Sequence, residues 1–386
     1  MPPRWPDRLQ RAALLLTVAL FSGGYATWGL AVMLVAVVAE GALTQTLPWK
    51  TTPLDGVVAG FIAWFLLASY LSEFRAIAVG STGLAALTIA LAFGTGARIL
   101  FRDSGFLRPL LWTWLAGGAA AGAAAFLLHL RRSAPAALPE LGQNAVGTTA
   151  MAALLIALGL ALLSAGVRRY LALLLALPPA AALLASYTRG AWIGAAVGLL
   201  ALTLLAGRRH IVRALLLGVA LVAVALASAG PERGALVRRA LTVADPQVNL
   251  NRIYLFRTAR LIIADHPVFG TGLNTFSQMT LRYRLPGDPN PLGAPFAHNI
   301  LLNMAAEGGV VAALLFVAIV IQALHCGLRW WRHTPEGERI LPAVVIAVFV
   351  AMMTHQLFDG TLLSVHLGAG MWLVIGILAA RGDVRA

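Results

Sequence analysis

Apolar stretches of about 18 residues or more recur from Leu14 to Ala380, and a stretch of that length is what a helix needs to cross a hydrocarbon core. Divided at their breakers, they predict about twelve helical spans by the ~20-residue criterion. The boundaries fall near 10–24, 27–45, 54–72, 77–97, 109–129, 146–164, 169–187, 190–207, 211–229, 299–325, 340–357 and 361–380. Only Ser22-Gly23-Gly24 separates the first two, so one long helix is the alternative there, and it would change the sidedness of everything that follows. Residues 230–298 break the pattern as a long polar loop, more often functional than decorative at this length. The chain therefore reads as an all-α integral membrane protein with one membrane domain in three parts. These are helices over 1–229, a partly helical loop over 230–298 and helices over 299–386.

Composition agrees. Hydrophobic residues make up 60% of the chain and charged residues 11%, against roughly 25% charged in a soluble domain; mean hydropathy is +0.82. The formal net charge of +14 would raise nucleic acid as a partner in a soluble protein, but here topology accounts for most of it. With a cytoplasmic N-terminus, the inside loops hold Lys50; Arg98, Arg102 and Arg108; Arg168 and Arg169; Arg208, Arg209 and Arg213; Arg329, Arg332 and Arg339; and Arg381 and Arg385. Short outside loops hold only Arg75, Arg131 and Arg132, the bias that the positive-inside rule expects. The loop at 230–298 falls outside despite its arginines, since long loops are translocated largely regardless of charge. Cys326 is the single cysteine, which excludes an intrachain disulfide. The N-terminal apolar stretch reads as the start of a multi-span chain, not as a cleavable signal.

Candidate chemistry collects in and around the loop. Asn251 to Ala264 reads as an amphipathic helix on which Arg252, Arg257 and Arg260 fall within an arc of roughly 140°. Such a helix either lies on a membrane with its arginines snorkelling to lipid phosphates or clamps a phosphorylated ligand through bidentate guanidinium forks. Pro267 ends it, and Gly270 and Gly272 permit a tight turn. Arg189, in Ser186-Tyr187-Thr188-Arg189-Gly190-Ala191-Trp192, either snorkels from a span end or faces a cavity or an anion. His298 sits where the chain re-enters the apolar region; a lone histidine there serves as a structural hydrogen-bonder or, as neutral imidazole, as a proton acceptor. Glu307 lies about 180° around the helix from His298 and reads as an interhelical hydrogen-bonder beside Gly308 and Gly309. Arg282 and Arg284 in the loop, and His355, Asp359 and His366 around the last outer turn, are secondary candidates. No zinc spacing, phosphate-binding loop or Gly-x-Ser-x-Gly elbow occurs.

Three segments together, SYTRGAW (186–192), NRIYLFRTARLIIADHPVFGTGLNTF (251–276) and FAHNILLNMAAEGG (296–309), resemble the O-antigen ligase and polymerase-like superfamily in order, spacing and placement around a long outer loop. The strongest match covers the C-terminal half. The resemblance implies a GT-C-like, metal-independent glycosyltransferase of the bacterial inner membrane. It would need no cofactor and would act at the periplasmic face on a glycan carried by undecaprenyl pyrophosphate. The acceptor would be lipid A–core in a ligase, a lipid-linked glycan in a polymerase, or a protein hydroxyl in related oligosaccharyltransferases. Arg189 and Arg252 match arginines that hold pyrophosphate, with Arg257 and Arg260 beside them, and His298 matches the base. The chain departs from the pattern at Phe256, where tryptophan is common. It also carries Phe296 where polymerase-like members often place a histidine, which favours ligase. A transporter of an anionic lipid-linked substrate is the rival class, but the charges cluster at span ends and in one loop instead of at a midplane. A structural protein whose basic loop only binds lipid phosphates is the remaining option.

Overall fold

The computed structural model describes residues 5–23, 25–44, 51–97, 104–132, 134–139, 141–207, 234, 238, 249–289, 292–360 and 365–382. These residues form helices joined by turns, with one isolated bridge between Leu138 and Leu141. In chain order the helices are α1 (Trp5–Ser22), α2 (Ala26–Thr44), α3 (Asp55–Leu71), α4 (Arg75–Ile89, continued by a π-helical turn over Ala90–Thr95), α5 (Leu107–Arg132), α6 (Gln143–Leu163), α7 (Gly166–Ala185), α8 (Arg189–Leu205), α9 (Leu250–Asp265), α10 (Phe276–Arg282), α11 (Ile300–His333), α12 (Ile340–Gln356) and α13 (Val365–Gly382). Apolar side chains leave the backbone no water to bond, so each segment satisfies its own N–H and C=O groups as helix.

Five helices are long and apolar enough to cross a membrane, over Arg75–Gly94, Leu107–Arg132, Gln143–Leu163, Gly166–Ala185 and Ile300–His333. Six more apolar helices of 10–17 residues accompany them. The expected count of about twelve is therefore not reached on length and composition among the described residues. The physical reason is that α3, α8 and α12 have 17 residues each, short of the ~20 a full crossing takes. The ninth expected span (211–229) lies outside the described residues, as do Arg233 and Arg239 of the loop. The two N-terminal segments form a pair of packed helices, not one long helix.

The centre of the bundle is α6, buried along nearly its whole length, with the equally buried α12 beside it. At the periphery, α7 shows Leu171 and Leu174 outward, where lipid is a suitable solvent. The closest pairing, α8 against α12, follows from Gly190, Gly194 and Gly198, which recur every fourth residue and make a flat seam. A Cβ at Gly194 would stand 2.7 Å from the Ala351 carbonyl oxygen, and one at Gly198 3.0 Å from that of Ala347. Small residues at such a seam let two backbones approach where lipid offers no hydrophobic drive.

Helix α11 is interrupted at Gly309, whose φ of 73° and ψ of 176° lie in a region reserved for glycine. The chain from Pro267 to Gly272 is hydrogen-bonded into the break. Val310 N–H donates to the Pro267 carbonyl (2.9 Å), Thr271 N–H to that of Ala306 (3.0 Å) and Gly272 N–H to that of Glu307 (2.7 Å). Backbone groups freed by the kink thus find partners in the loop, as irregular backbone among apolar helices must.

Contacts between helix ends fix their polarity. The Thr188 hydroxyl lies within hydrogen-bond distance of Gln143 and Asn144, so α6 and α8 begin at the same end. At the opposite end, Trp331 donates to the Leu205 carbonyl and Gln322 to that of Pro53. Arg108, Arg168, Arg169, Arg329, Arg332 and Arg339 all belong to the second end. These six of the charges grouped by the sequence pattern are therefore at one end in space, and the loop helices α9 and α10 lie at the other end.

Candidate functional site

Arg189 opens α8 and is only 7% exposed. Its mount explains most of the segment around it. The Ser186 hydroxyl donates to the Leu183 carbonyl (2.8 Å), and the Trp192 indole N–H donates to the same oxygen (2.8 Å). Together they close the turn between α7 and α8. Tyr187 takes a φ of +53° in that turn. Gly190 has no side chain because one would stand 2.8 Å from His355 Nδ1. So fixed, Arg189 Nη2 donates to Asn249 Oδ1 at 2.7 Å. Asn249 immediately precedes α9, so the bond ties the arginine to the loop helix.

His298 occupies the corner before α11 with a φ of +52°. Left-handed backbone at a non-glycine residue costs on the order of 1–3 kcal/mol and is usually retained at functional sites. The next residue, Asn299, caps α11 by accepting from Leu301 and Leu302 N–H, and its amide donates to the Leu357 carbonyl (3.0 Å). This cap draws the beginning of α11 against the end of α12. As a result His298 Nδ1 lies 3.2 Å from Asp359 Oδ1. Asp359 is almost wholly buried, accepts from Gly360 N–H at 2.7 Å, and has Oδ2 4.0 Å from His355 Nε2. Burial pushes the Asp359 carboxyl up, but the His298 hydrogen bond, the two neighbouring histidines and the Gly360 N–H outweigh it and hold it below the ordinary carboxylate range. Because Nδ1 faces a carboxylate, Nε2 is the ring nitrogen left to accept a proton. The Phe296 ring packs edge-on against His298 at 4.8 Å and stands where a Cβ on Gly360 would be (3.0 Å).

Helix α9 supplies the arginine-rich element nearly where the pattern put it, at Leu250–Asp265 instead of 251–264. Its buried face is Leu255, Thr258, Ala259 and Ile262. Arg252 flanks that seam, half-buried, and its charge acts on His355. Arg257 and Arg260 are exposed on the other side of the helix. The three arginines therefore share one arc of which only the Arg252 edge borders the buried stripe, while Arg257 and Arg260 face away from the rest of the protein.

The secondary candidates separate likewise. Arg282 makes a bidentate ion pair with Glu73 and lies over the Phe74 ring, so it pins α10 to the turn between α3 and α4. Its pKa is raised by the Glu73 hydrogen bond and charge. Arg284 is exposed. His355 and Asp359 join His298, and His366 lies in the first turn of α13. Among the described residues, no group of three or more His, Cys, Asp or Glu side chains is arranged to hold a metal ion.

Glu307 has a different partner from the one its sequence position predicts. It is 2% exposed and accepts from Phe276 N–H at 3.1 Å, with Asn274 and Thr275 N–H also bonded to it. The carboxylate thus holds a turn of the loop and not a neighbouring span, because the kink at Gly309 brings that turn onto α11. Asn274 in the same turn has a φ of +63°. Sequence reasoning also missed Asn249, which lies just before the helix expected over 251–264 and carried no signal of its own.

Residues 171–317 match the family model described as O-Antigen ligase. The match runs from α7 through the first half of α11 and so takes in Arg189, Asn249, Arg252, the Glu307 turn and His298, whereas His355 and Asp359 lie beyond it. No curated protein matches the chain. The domain supports the resemblance to the O-antigen ligase-like superfamily, whose members are glycosyltransferase-like enzymes, on a multi-pass membrane chain.

Proposed function

Taking the O-antigen ligase domain as the premise, we propose that the chain transfers a glycan from undecaprenyl pyrophosphate to lipid A–core at the periplasmic face of the bacterial inner membrane. The observation that carries this reading is one end of the bundle that holds two kinds of group: a histidine backed by a buried carboxylate, and buried or half-buried arginines nearby. Those are the parts that transfer from a pyrophosphate carrier requires.

In this reading the acceptor hydroxyl gives its proton to His298 Nε2 as its oxygen attacks the anomeric carbon. Asp359 fixes the ring through Nδ1 and offsets the positive charge the imidazole gains, as the carboxylate does in the Ser-His-Asp arrangement. The bond from the anomeric carbon to the pyrophosphate oxygen breaks, and the departing lipid pyrophosphate takes the electron pair. Arg189 and Arg252 hold that charge in a poorly hydrated place, where fixed cations stabilise a transition state most. The carrier is already an activated leaving group, so the reaction needs no nucleotide cofactor. Arg257, Arg260 and Arg284, exposed on the loop, would gather anionic lipid headgroups around the entrance.

Phe296 favours ligase over polymerase within this class. It places an apolar ring on the His298 edge where polymerase-like members often carry a second histidine. The test offers wild-type protein in proteoliposomes a defined undecaprenyl-pyrophosphate glycan, together with either lipid A–core or more lipid-linked glycan. Glycosylated lipid A–core is the expected product. Elongation of the lipid-linked glycan alone would replace the ligase by a polymerase, and transport of the donor without transfer would favour the rival class.

A further inference from the structure

At the end of the bundle away from His298, a cavity of about 750 Å³ opens between the start of α5 and the turn joining α6 to α7. Helix α6, with 21 residues, separates the two ends by about 30 Å at 1.5 Å per residue, the thickness of a hydrocarbon core. Trp112, Leu160, Leu163 and Leu171 supply apolar wall, and Arg108 and Arg168 stand at its rim.

The two arginines are exposed and have no acidic, aromatic or hydrogen-bonding partner among the described residues. Their neighbour Arg169 contrasts with them, since its Nε donates to the carbonyls of Ala161 and Ser164, both at 3.1 Å. Topology accounts for basic residues at this end, but not for two that line one apolar hollow without an acidic partner among the described residues. Each also sits in the first turn of its helix, where the helix dipole repels a cation instead of offsetting it. An anion bound between them would relieve both costs, and apolar matter attached to it would fill the wall. A free phosphate would satisfy only the rim.

We propose that this cavity is a binding site for an anionic glycerophospholipid, with the phosphodiester between Arg108 and Arg168 and an acyl chain along Trp112, Leu160, Leu163 and Leu171. Basic hollows between membrane helices bind headgroups of this kind. The site is independent of the transfer reaction and lies in the other leaflet.

The test is native mass spectrometry of the full chain, released from nanodiscs of equimolar phosphatidylglycerol and phosphatidylethanolamine. Wild-type protein is expected to retain phosphatidylglycerol at least about five-fold over phosphatidylethanolamine. R108Q/R168Q is expected to lose that preference, while R332Q, which removes a basic residue from the same end outside the cavity, keeps it. Thermal melting establishes that the variants are folded, and the wild-type preference tests the site even if the double variant is not. Equal retention of the two lipids by wild type overturns the proposal. So does an unchanged preference in folded R108Q/R168Q, or its loss in R332Q as well. Displacement of the lipid by millimolar inorganic phosphate would make this a phosphate site and overturn the lipid assignment.

Discussion

Replacing Asp359 with asparagine isolates the contribution of a buried charge while keeping its shape. Asp359 Oδ1 accepts from Gly360 N–H at 2.7 Å and faces His298 Nδ1 at 3.2 Å, with Oδ2 4.0 Å from His355 Nε2. An amide can keep its oxygen toward Gly360 and His298 and turn its NH₂ toward His355, so D359N should fold. In the ground state the hydrogen bond to His298 changes from charge-assisted to neutral, a loss of roughly 1 kcal/mol. In the transition state proposed above, His298 carries a positive charge that the carboxylate would otherwise offset. Two unit charges at about 4 Å and an effective dielectric of 20 attract by about 4 kcal/mol, which sets a ceiling of about 10³ on the rate loss. His298 is partly exposed, at 21%, and solvent screening reduces the effect, so a fall in kcat of about 10² is expected. KM for either substrate should change less than about two-fold, because Asp359 acts through the histidine and does not touch substrate. The assay measures initial rates in proteoliposomes across donor and acceptor concentrations, with melting temperature as the folding control. If folded D359N keeps more than half of wild-type kcat, or loses rate only through KM, the pairing has no part in the chemistry.

Three further outcomes follow from the same geometry. The folded pKa of Asp359 is depressed, so its contribution to stability is fully present above the unfolded carboxylate value of about 3.9 and is lost as pH falls through the lower folded value. The melting-temperature gap between wild type and D359N should therefore persist from about pH 8 to pH 5 and shrink only below about pH 4; a gap that closes near neutrality would contradict the assignment. G309A forces a β-carbon into the Val268 carbonyl and a side-chain residue into glycine-only backbone, and it should cost roughly 2–5 kcal/mol, read as a lower denaturation midpoint in detergent. On α9, R252A should reduce transfer by at least about ten-fold, whereas R257A and R260A, on the exposed side, should change it less than about three-fold at physiological salt; equal losses would restore the single three-arginine clamp.

The helices were legible because the hydrocarbon core imposes its requirement locally. A run of apolar residues states its own length, and α9 ends within one residue of its predicted bounds at each end because its stripe and Pro267 are local signals too. What the sequence could not show is whatever depends on residues far apart along the chain. Gly309 lies inside an apolar run that reads as continuous helix, and the break appears only with Val268 packed into it. His298 and Asp359 are 61 positions apart, so neither predicts the other. Arg282 is a loop arginine like Arg252 by any local measure, yet Glu73, 209 positions away, commits it to structure. An amphipathic arc also cannot say which edge of its polar side meets the rest of the protein, and that is where Arg252 parted from Arg257 and Arg260.

The central claim, that His298 and Arg189 form one transfer site, is tested most directly by measuring lipid A–core glycosylation from a defined undecaprenyl-pyrophosphate glycan by wild type, H298A and R189A, each shown to be folded. The account predicts product from wild type and a loss of at least about 10² in both variants. In R189A the loss should include weaker donor binding, because the proposed reaction has the Arg189 cation hold the pyrophosphate. Undiminished transfer by folded H298A would contradict the account.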